Sequence, residues 1–116
     1  MSQNSNGSKK EVIIPDVIFS YTQDQAIEDG VLVLVGYAAL GIGKKPERVI
    51  FTRTLFEDGY TEEEKRRQLL IRGFSLLLLP DPEDSPTMKL RVIEKNKIWV
   101  IWNEGEGFTF LTPEDY

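Results

Sequence analysis

The amino-acid sequence predicts an α+β domain: a small antiparallel sheet packed against one main helix and several short ones. Three observations lead there. A helix signature opens at Thr61 and continues into a leucine-rich stripe. Three short apolar runs separated by turn residues close the chain and read as a three-stranded meander. Upstream, a polar helix pattern stops at Gly30 and releases the run Val-Leu-Val-Leu-Val over 31–35, a further strand. With 116 residues, the chain has the length of one domain with a core of its own.

Taken in order, residues 1–10 (MSQNSNGSKK) carry nothing to pack and read as a flexible polar tail, leaving 11–116 as a single domain. The segment 12–19 (VIIPDVIF) is apolar but interrupted by Pro15, which suits an edge strand or a lead-in. Thr22 with Gln25 three residues on is a capping-box pattern, and Asp24 falls where the helix dipole favours negative charge. Ala26 and Ile27 give this short helix an apolar face, and Gly30 is a left-handed stop. The 31–35 strand is apolar on both sides and so is expected to be buried on both. Residues 37–40 read as one helical turn. Over 48–56 two readings stand: a strand with Val49, Phe51 and Leu55 on one face, or a helix over TRTLFED that ends at Gly59.

The main helix is expected over 62–78. Thr61 and Glu64 form a second capping-box pattern, and Glu62, Glu63 and Glu64 crowd the first turn. Glu62–Arg66 and Glu63–Arg67 have the favourable four-residue spacing, and Leu69, Leu70, Gly73, Phe74 and Leu77 form one stripe. The alternative is a break at Gly73 followed by a separate short strand. Pro80 and Pro82 end the element in either case. In the first meander strand Met88, Leu90 and Val92 alternate with Lys89 and Arg91, which predicts an apolar buried face and a charged wet one. The 98–102 strand, Ile-Trp-Val-Ile-Trp, has large apolar groups on both faces and takes the middle place, and 108–111 is the third strand.

Composition removes much chemistry. The chain has no cysteine and no histidine, so disulfides, Cys- or His-based metal sites, and Ser-His or Cys-His nucleophiles are all excluded. A net charge of −5 argues against direct nucleic-acid binding. No apolar run reaches the length of a membrane span or a signal peptide, and a cytoplasmic protein is expected. Gly-Ile-Gly-Lys-Lys-Pro at 41–46 has two glycines and two lysines but lacks the spacing and the Ser/Thr of a phosphate loop. The acidic clusters around Asp81–Asp84 and Glu104–Glu106 match no metal-binding spacing and are explained by turn chemistry.

The candidate ligand- or partner-binding residues are Tyr21, Lys44, Lys45, Arg48, Trp99, Trp102 and Glu104. The lysines and Arg48 offer charge to a nucleotide or acidic partner. The tryptophans sit on a strand whose second face is covered by core, by a partner subunit or by a ligand. No catalytic residue, metal ligand or cofactor is identified.

The stretch from Tyr21 to Val33 resembles the opening of a family of small uncharacterised bacterial proteins. The family pattern, Tyr-Thr-x-x-Gln-Ala-x-x-Asp-Gly-Val-Leu-Val, is matched at Tyr21, Thr22, Gln25, Ala26, Asp29, Gly30, Val31, Leu32 and Val33. The segment from Thr52 to Phe56 and the ending FTFLTPEDY are also similar to the family. Where family members carry an acidic residue after Val-Leu-Val, this chain has Leu34. The resemblance implies a plasmid or phage setting and no particular mechanism. The function expected is a non-catalytic binding protein that is a homo-oligomer and inhibits a host defence system. It would act by protein contact or by sequestering a nucleotide-like ligand. The alternatives are an acidic DNA mimic and a small carboxylate-dependent nucleotide hydrolase.

Overall fold

The computed structural model describes residues 22–93 and 97–115. The polar tail, the 12–19 segment, Tyr21 and most of the turn after residue 93 lie outside the described residues. The elements are α1 (Gln23–Glu28), β1 (Leu32–Ala38), β2 (Glu47–Thr52), α2 (Arg53–Glu57), α3 (Glu63–Leu77), β3 (Met88–Ile93), β4 (Ile98–Asn103), β5 (Gly107–Leu111) and a closing 3₁₀ turn, Pro113–Asp115. The fold is α+β, as the sequence predicts.

One sheet holds all five strands in the order β1-β2-β5-β4-β3. The meander β3-β4-β5 is antiparallel, with β4 between its neighbours. β1 and β2 are also antiparallel, but β2 lies parallel to β5, pairing Val49 with Phe108 and Phe51 with Phe110. The sheet is therefore mixed, not purely antiparallel. After β2 the chain crosses through α2 and α3 before the meander, and a long crossover of this kind lets two strands run side by side in one direction.

The two readings of 48–56 prove to be halves of one answer. β2 ends at Thr52, whose hydroxyl accepts from Leu55 N–H at 3.4 Å and caps α2. The 37–40 helical turn does not form: Tyr37 and Ala38 extend β1, which bulges between Leu34 and Gly36. β1 is an edge strand and stays half-buried, not buried on both sides. At α1 the Thr22–Gln25 capping box is present, and Gly30 stops the helix with φ +83°.

The main helix α3 is continuous through Gly73. Its cap differs from expectation: Glu62 is the N-cap residue and makes no side-chain cap bond. The i,i+4 pairs are replaced too. Arg66 donates to the Tyr60 and Thr61 carbonyls and Arg67 pairs with Glu64, so the arginines close the α2–α3 loop and the first turn. Gly73 is required by packing, since a Cβ there would lie 2.6 Å from Phe110 Cε2. The core between α3 and the sheet joins Leu69 and Leu77 to Val49, Phe51, Ile98, Val100, Phe108 and Phe110. Its rings interlock, Phe74 edge-on to Phe108 at 5.1 Å and Phe51 tilted on Phe110 at 5.2 Å. Burying each such side chain contributes about 2 kcal/mol.

β3 reverses the predicted phase. Arg91 and Ile93 face α3, and Val92 is 40% exposed on the other face, where Met88 and Leu90 are half-buried. Arg91 is only 8% exposed. Its guanidinium forks onto Asp84 at 2.7 and 2.8 Å and donates to the Leu76, Leu79 and Leu90 carbonyls. Leu76 and Leu79 belong to the end of α3, where backbone carbonyls lack helical partners and the dipole favours a cation. That demand outweighs the general preference for charge at the surface.

Both faces of β4 are buried at its centre, Val100 toward α3 and Ile101 (6% exposed) away from it. On that second face Arg48 ties α1 down, bonding Asp24 at 2.7 Å and Gln23 at 3.0 Å. Among the described residues no helix is long and apolar enough to cross a membrane.

Two carboxyls are held below the ordinary value of 3.8. The Arg91 hydrogen bond does this for Asp84. For Asp115 burial pushes the other way, but hydrogen bonds from Thr54, Thr52 and Thr112 outweigh it. A depressed folded-state value means the stabilisation is complete above the unfolded value and lost as pH falls through the folded one. Melting temperature is thus expected to hold from neutral pH downward and to drop below about pH 4. Circular-dichroism melts of the wild type and of an Asp84→Asn/Asp115→Asn variant check this. The variant should start lower and vary less with acid, and equal slopes would refute the assignment.

Candidate functional site

The β1–β2 loop begins where β1 ends at Ala38 and carries Leu40, Gly41, Ile42, Gly43, Lys44, Lys45 and Pro46. Lys44 N–H closes a turn on the Gly41 carbonyl at 3.3 Å. Gly41 and Gly43 have φ of +113° and +80°, a left-handed region that side chains disfavour. Pro46 then leads into β2, whose first residue is Glu47.

Strand alternation puts Glu47 on the same face as Val49 and Phe51, the face that α3 covers. On β4, Trp102 pairs with Phe108 of β5 and with Lys89 of β3, so these side chains share that face. Trp102 reaches past the start of β5, and its indole N–H donates to Glu47 Oε2 at 3.1 Å. The other carboxylate oxygen, Oε1, is buried and has no protein donor among the described residues. Beside it lies a cavity of about 100 Å³ lined by Leu40, Lys44, Glu47, Lys89, Trp102 and Phe108.

The arrangement combines one free buried acceptor, two lysine ammonium groups, two aromatic rings and a leucine. Leaving a buried acceptor unpaired costs about 1–3 kcal/mol, so a donor entering the cavity gains what the fold leaves unsatisfied. The cavity wall joins a carboxylate to two lysines and two aromatic residues.

A larger depression of about 260 Å³ lies near the α2–α3 loop, lined by Asp58, Gly59, Tyr60, Lys65, Gln68 and Arg72. Apart from Tyr60 its lining is exposed, and it holds no buried unpaired acceptor among the described residues. The described residues contain no grouping of three or more acidic side chains fit to hold a metal ion.

Of the sequence candidates, the structure brings Lys44 and Trp102 together in the cavity. Lys45 is exposed on the same loop. Arg48 and Trp99 belong to the opposite face, Arg48 engaged by α1. Glu104 is exposed in the β4–β5 turn, its N–H on the Thr87 carbonyl at 2.9 Å. Tyr21 lies outside the described residues. Sequence reasoning passed over Glu47, Lys89, Leu40 and Phe108. One signal was available for Glu47, a carboxylate heading the apolar alternation of Val49 and Phe51. Lys89 depended on the phase of β3, which its sequence misstates.

The acidic groups also divide. Asp84 is paired with Arg91, whereas Asp115 accepts from three threonine hydroxyls and stays an exposed negative charge. Comparison of the chain with protein-family models, with curated proteins and with solved structures finds no match.

Proposed function

We propose that this is a non-catalytic binding protein whose Glu47–Trp102 cavity, about 100 Å³, takes the edge of a nucleobase while the rest of a nucleotide-like ligand lies outside it. One observation carries the reading: Glu47, whose buried Oε1 has no donor among the described residues, lines a cavity together with two lysines and two aromatic residues. A nucleobase answers each part of that surface. Its ring packs against the partly exposed Trp102, where base–aromatic stacking contributes about 1–3 kcal/mol. A base N–H donates to Glu47 Oε1, and the phosphate lies toward Lys44 and Lys89. A chain without histidine or cysteine lacks the side chains most used for proton transfer and nucleophilic attack at neutral pH, which favours capture over turnover.

In the plasmid or phage setting implied by the opening signature, such capture would inhibit a host defence system from within the bacterial cytoplasm. Calorimetric titration with nucleoside mono-, di- and triphosphates of each base tests the reading, with tryptophan fluorescence as a second signal. Saturable binding of one ligand per cavity is expected. Glu47→Gln keeps an oxygen for Trp102 but turns a donor into the cavity, and it should weaken binding by about tenfold or more, roughly 1.4 kcal/mol. If no nucleotide binds at millimolar concentration, the reading is abandoned.

A further inference from the structure

We infer that the face of the sheet turned away from α3 is a docking surface whose occupant is this chain's own apolar segment 12–19, which lies outside the described residues. The inference stands without the ligand reading and concerns the opposite side of the sheet from the Glu47–Trp102 cavity.

Strand register gathers an apolar patch on that face. Trp99 pairs with Val92 of β3 and Leu111 of β5, and Ile101 pairs with Leu90, so these side chains share the face with Ile50 of β2. Ile50 and Ile101 are 0% and 6% exposed and Trp99 is half-buried, whereas Val92 at the edge is 40% exposed. A sheet face left to water carries polar residues in its alternation, and an apolar one needs a cover. Among the described elements α1 is tied to this face, through Asp24 and Gln23 on Arg48. It is six residues long and contributes one buried side chain, Ala26. That is too little for a patch running from β2 to β3.

Three observations choose the occupant. The first described residues of the chain already lie on this face: Thr22 caps α1, and Gln23 Nε2 donates to the Glu106 carbonyl at 3.1 Å in the turn between β4 and β5. The segment before Thr22 is therefore tethered at that end of the patch. Reach agrees. Trp99 is four residues along β4 from Asn103, about 13 Å, and the ten residues from Thr22 back to Val12 span at most about 33 Å. Composition agrees as well. Val12, Ile13, Ile14, Val17, Ile18 and Phe19 are apolar. Pro15 between the two triplets lacks the N–H that an inner ladder position demands, which suits packing on a face better than pairing within a sheet. A segment tethered this close has an effective concentration on the order of millimolar, so it outcompetes a second copy or a foreign partner. Of the covers open to the tryptophan strand, this selects the chain's own core, and a partner reaches Trp99 only by displacing the segment.

NMR of the full chain tests this. Nuclear Overhauser contacts are expected from the methyl groups of residues 12–19 to the Trp99 ring and the Leu90 methyls, and they should persist when labelled chains are diluted into unlabelled ones. Contacts found only between labelled and unlabelled chains make a second copy the occupant and overturn the inference, and so does a lack of any contact with that face. Contacts confined to the β1 or β3 edge would make the segment a sixth strand and overturn it equally. Fluorescence gives an independent reading. In a Trp102→Phe background Trp99 is the sole tryptophan. Adding Ile14→Asp or Ile18→Asp should shift its emission to the red and open it to acrylamide, while Lys10→Asp leaves both unchanged. Emission and quenching indifferent to either aspartate would show Trp99 covered by something else. Where an aspartate variant loses its fold by circular dichroism, the wild-type contacts decide.

Discussion

Gly107→Ala is expected to destabilise the fold by about 4 kcal/mol, a large share of the roughly 5–15 kcal/mol typical of a native domain. Two costs add. Gly107 has φ +92°, and an L-residue held in that left-handed region loses about 1–2 kcal/mol. A Cβ there would also lie 2.3 Å from the Arg48 carbonyl oxygen and 3.0 Å from its nitrogen. Those are backbone atoms of β2, so no side-chain rotation relieves the clash. β5 and β2 would have to part at the start of their parallel pairing, and overpacking of this kind costs about 1–3 kcal/mol. Gly105 provides the control within the same turn. Its φ is +85°, but nothing lies within 4 Å of an added Cβ, so Gly105→Ala should lose only the conformational part. Urea unfolding of the three proteins measures the difference. Equal midpoints for the two variants would show that the close approach of β5 to β2 carries no cost.

Arg91→Ala is the second large effect, about 3 kcal/mol of lost stability. An arginine has five N–H donors, and the five hydrogen bonds of Arg91 reach Asp84 twice and the Leu76, Leu79 and Leu90 carbonyls once each. Alanine removes all five bonds at once; the Leu76 carbonyl keeps Leu79 N–H and Asp84 Oδ2 keeps Asp81 N–H, but leaving the partner of a largely buried ion pair uncompensated costs more than the pair contributes when intact. The end of α3, the loop carrying Asp84 and the edge strand β3 all meet at this side chain, so the three should loosen together. Arg91→Lys should recover only part of the loss, because an ammonium is a point charge and does not fork onto a carboxylate while reaching two turns of backbone. Thermal melts rank the variants, and amide exchange should rise at Leu78 and Leu79. Protection there unchanged in Arg91→Ala would remove Arg91 as the clasp.

The ligand experiments depend on other side chains. Glu47, Trp102 and the 41–43 turn gather at the β1–β2 loop, and the cavity meets the edge strand only at Lys89. Variants there probe binding with the core packing intact, whereas variants of Gly107 and Arg91 probe the scaffold. Keeping the two sets apart guards against mistaking an unfolded chain for one that does not bind.

The sequence by itself determined what near neighbours control. Thr22 and Gln25 start α1 and Gly30 stops it, because capping and left-handed geometry act within a few residues. The stripe from Leu69 to Leu77 makes α3, and the large apolar groups from Ile98 to Trp102 place β4 inside the sheet. Lys44 and Trp102 stood out as candidates by their chemistry, and the tertiary structure brings both to one cavity. Only the tertiary structure decided which strands are neighbours and which face of each is covered. Alternation in β3 separates two faces without saying which one meets α3; the carbonyls of Leu76 and Leu79 and the carboxylate of Asp84 settle it by drawing Arg91 inward. Likewise Glu47 and Trp102 are 55 residues apart, and they meet only because β2 and β4 flank the same strand. A hydrogen bond formed across such a separation depends on chain topology, which short-range spacing does not encode.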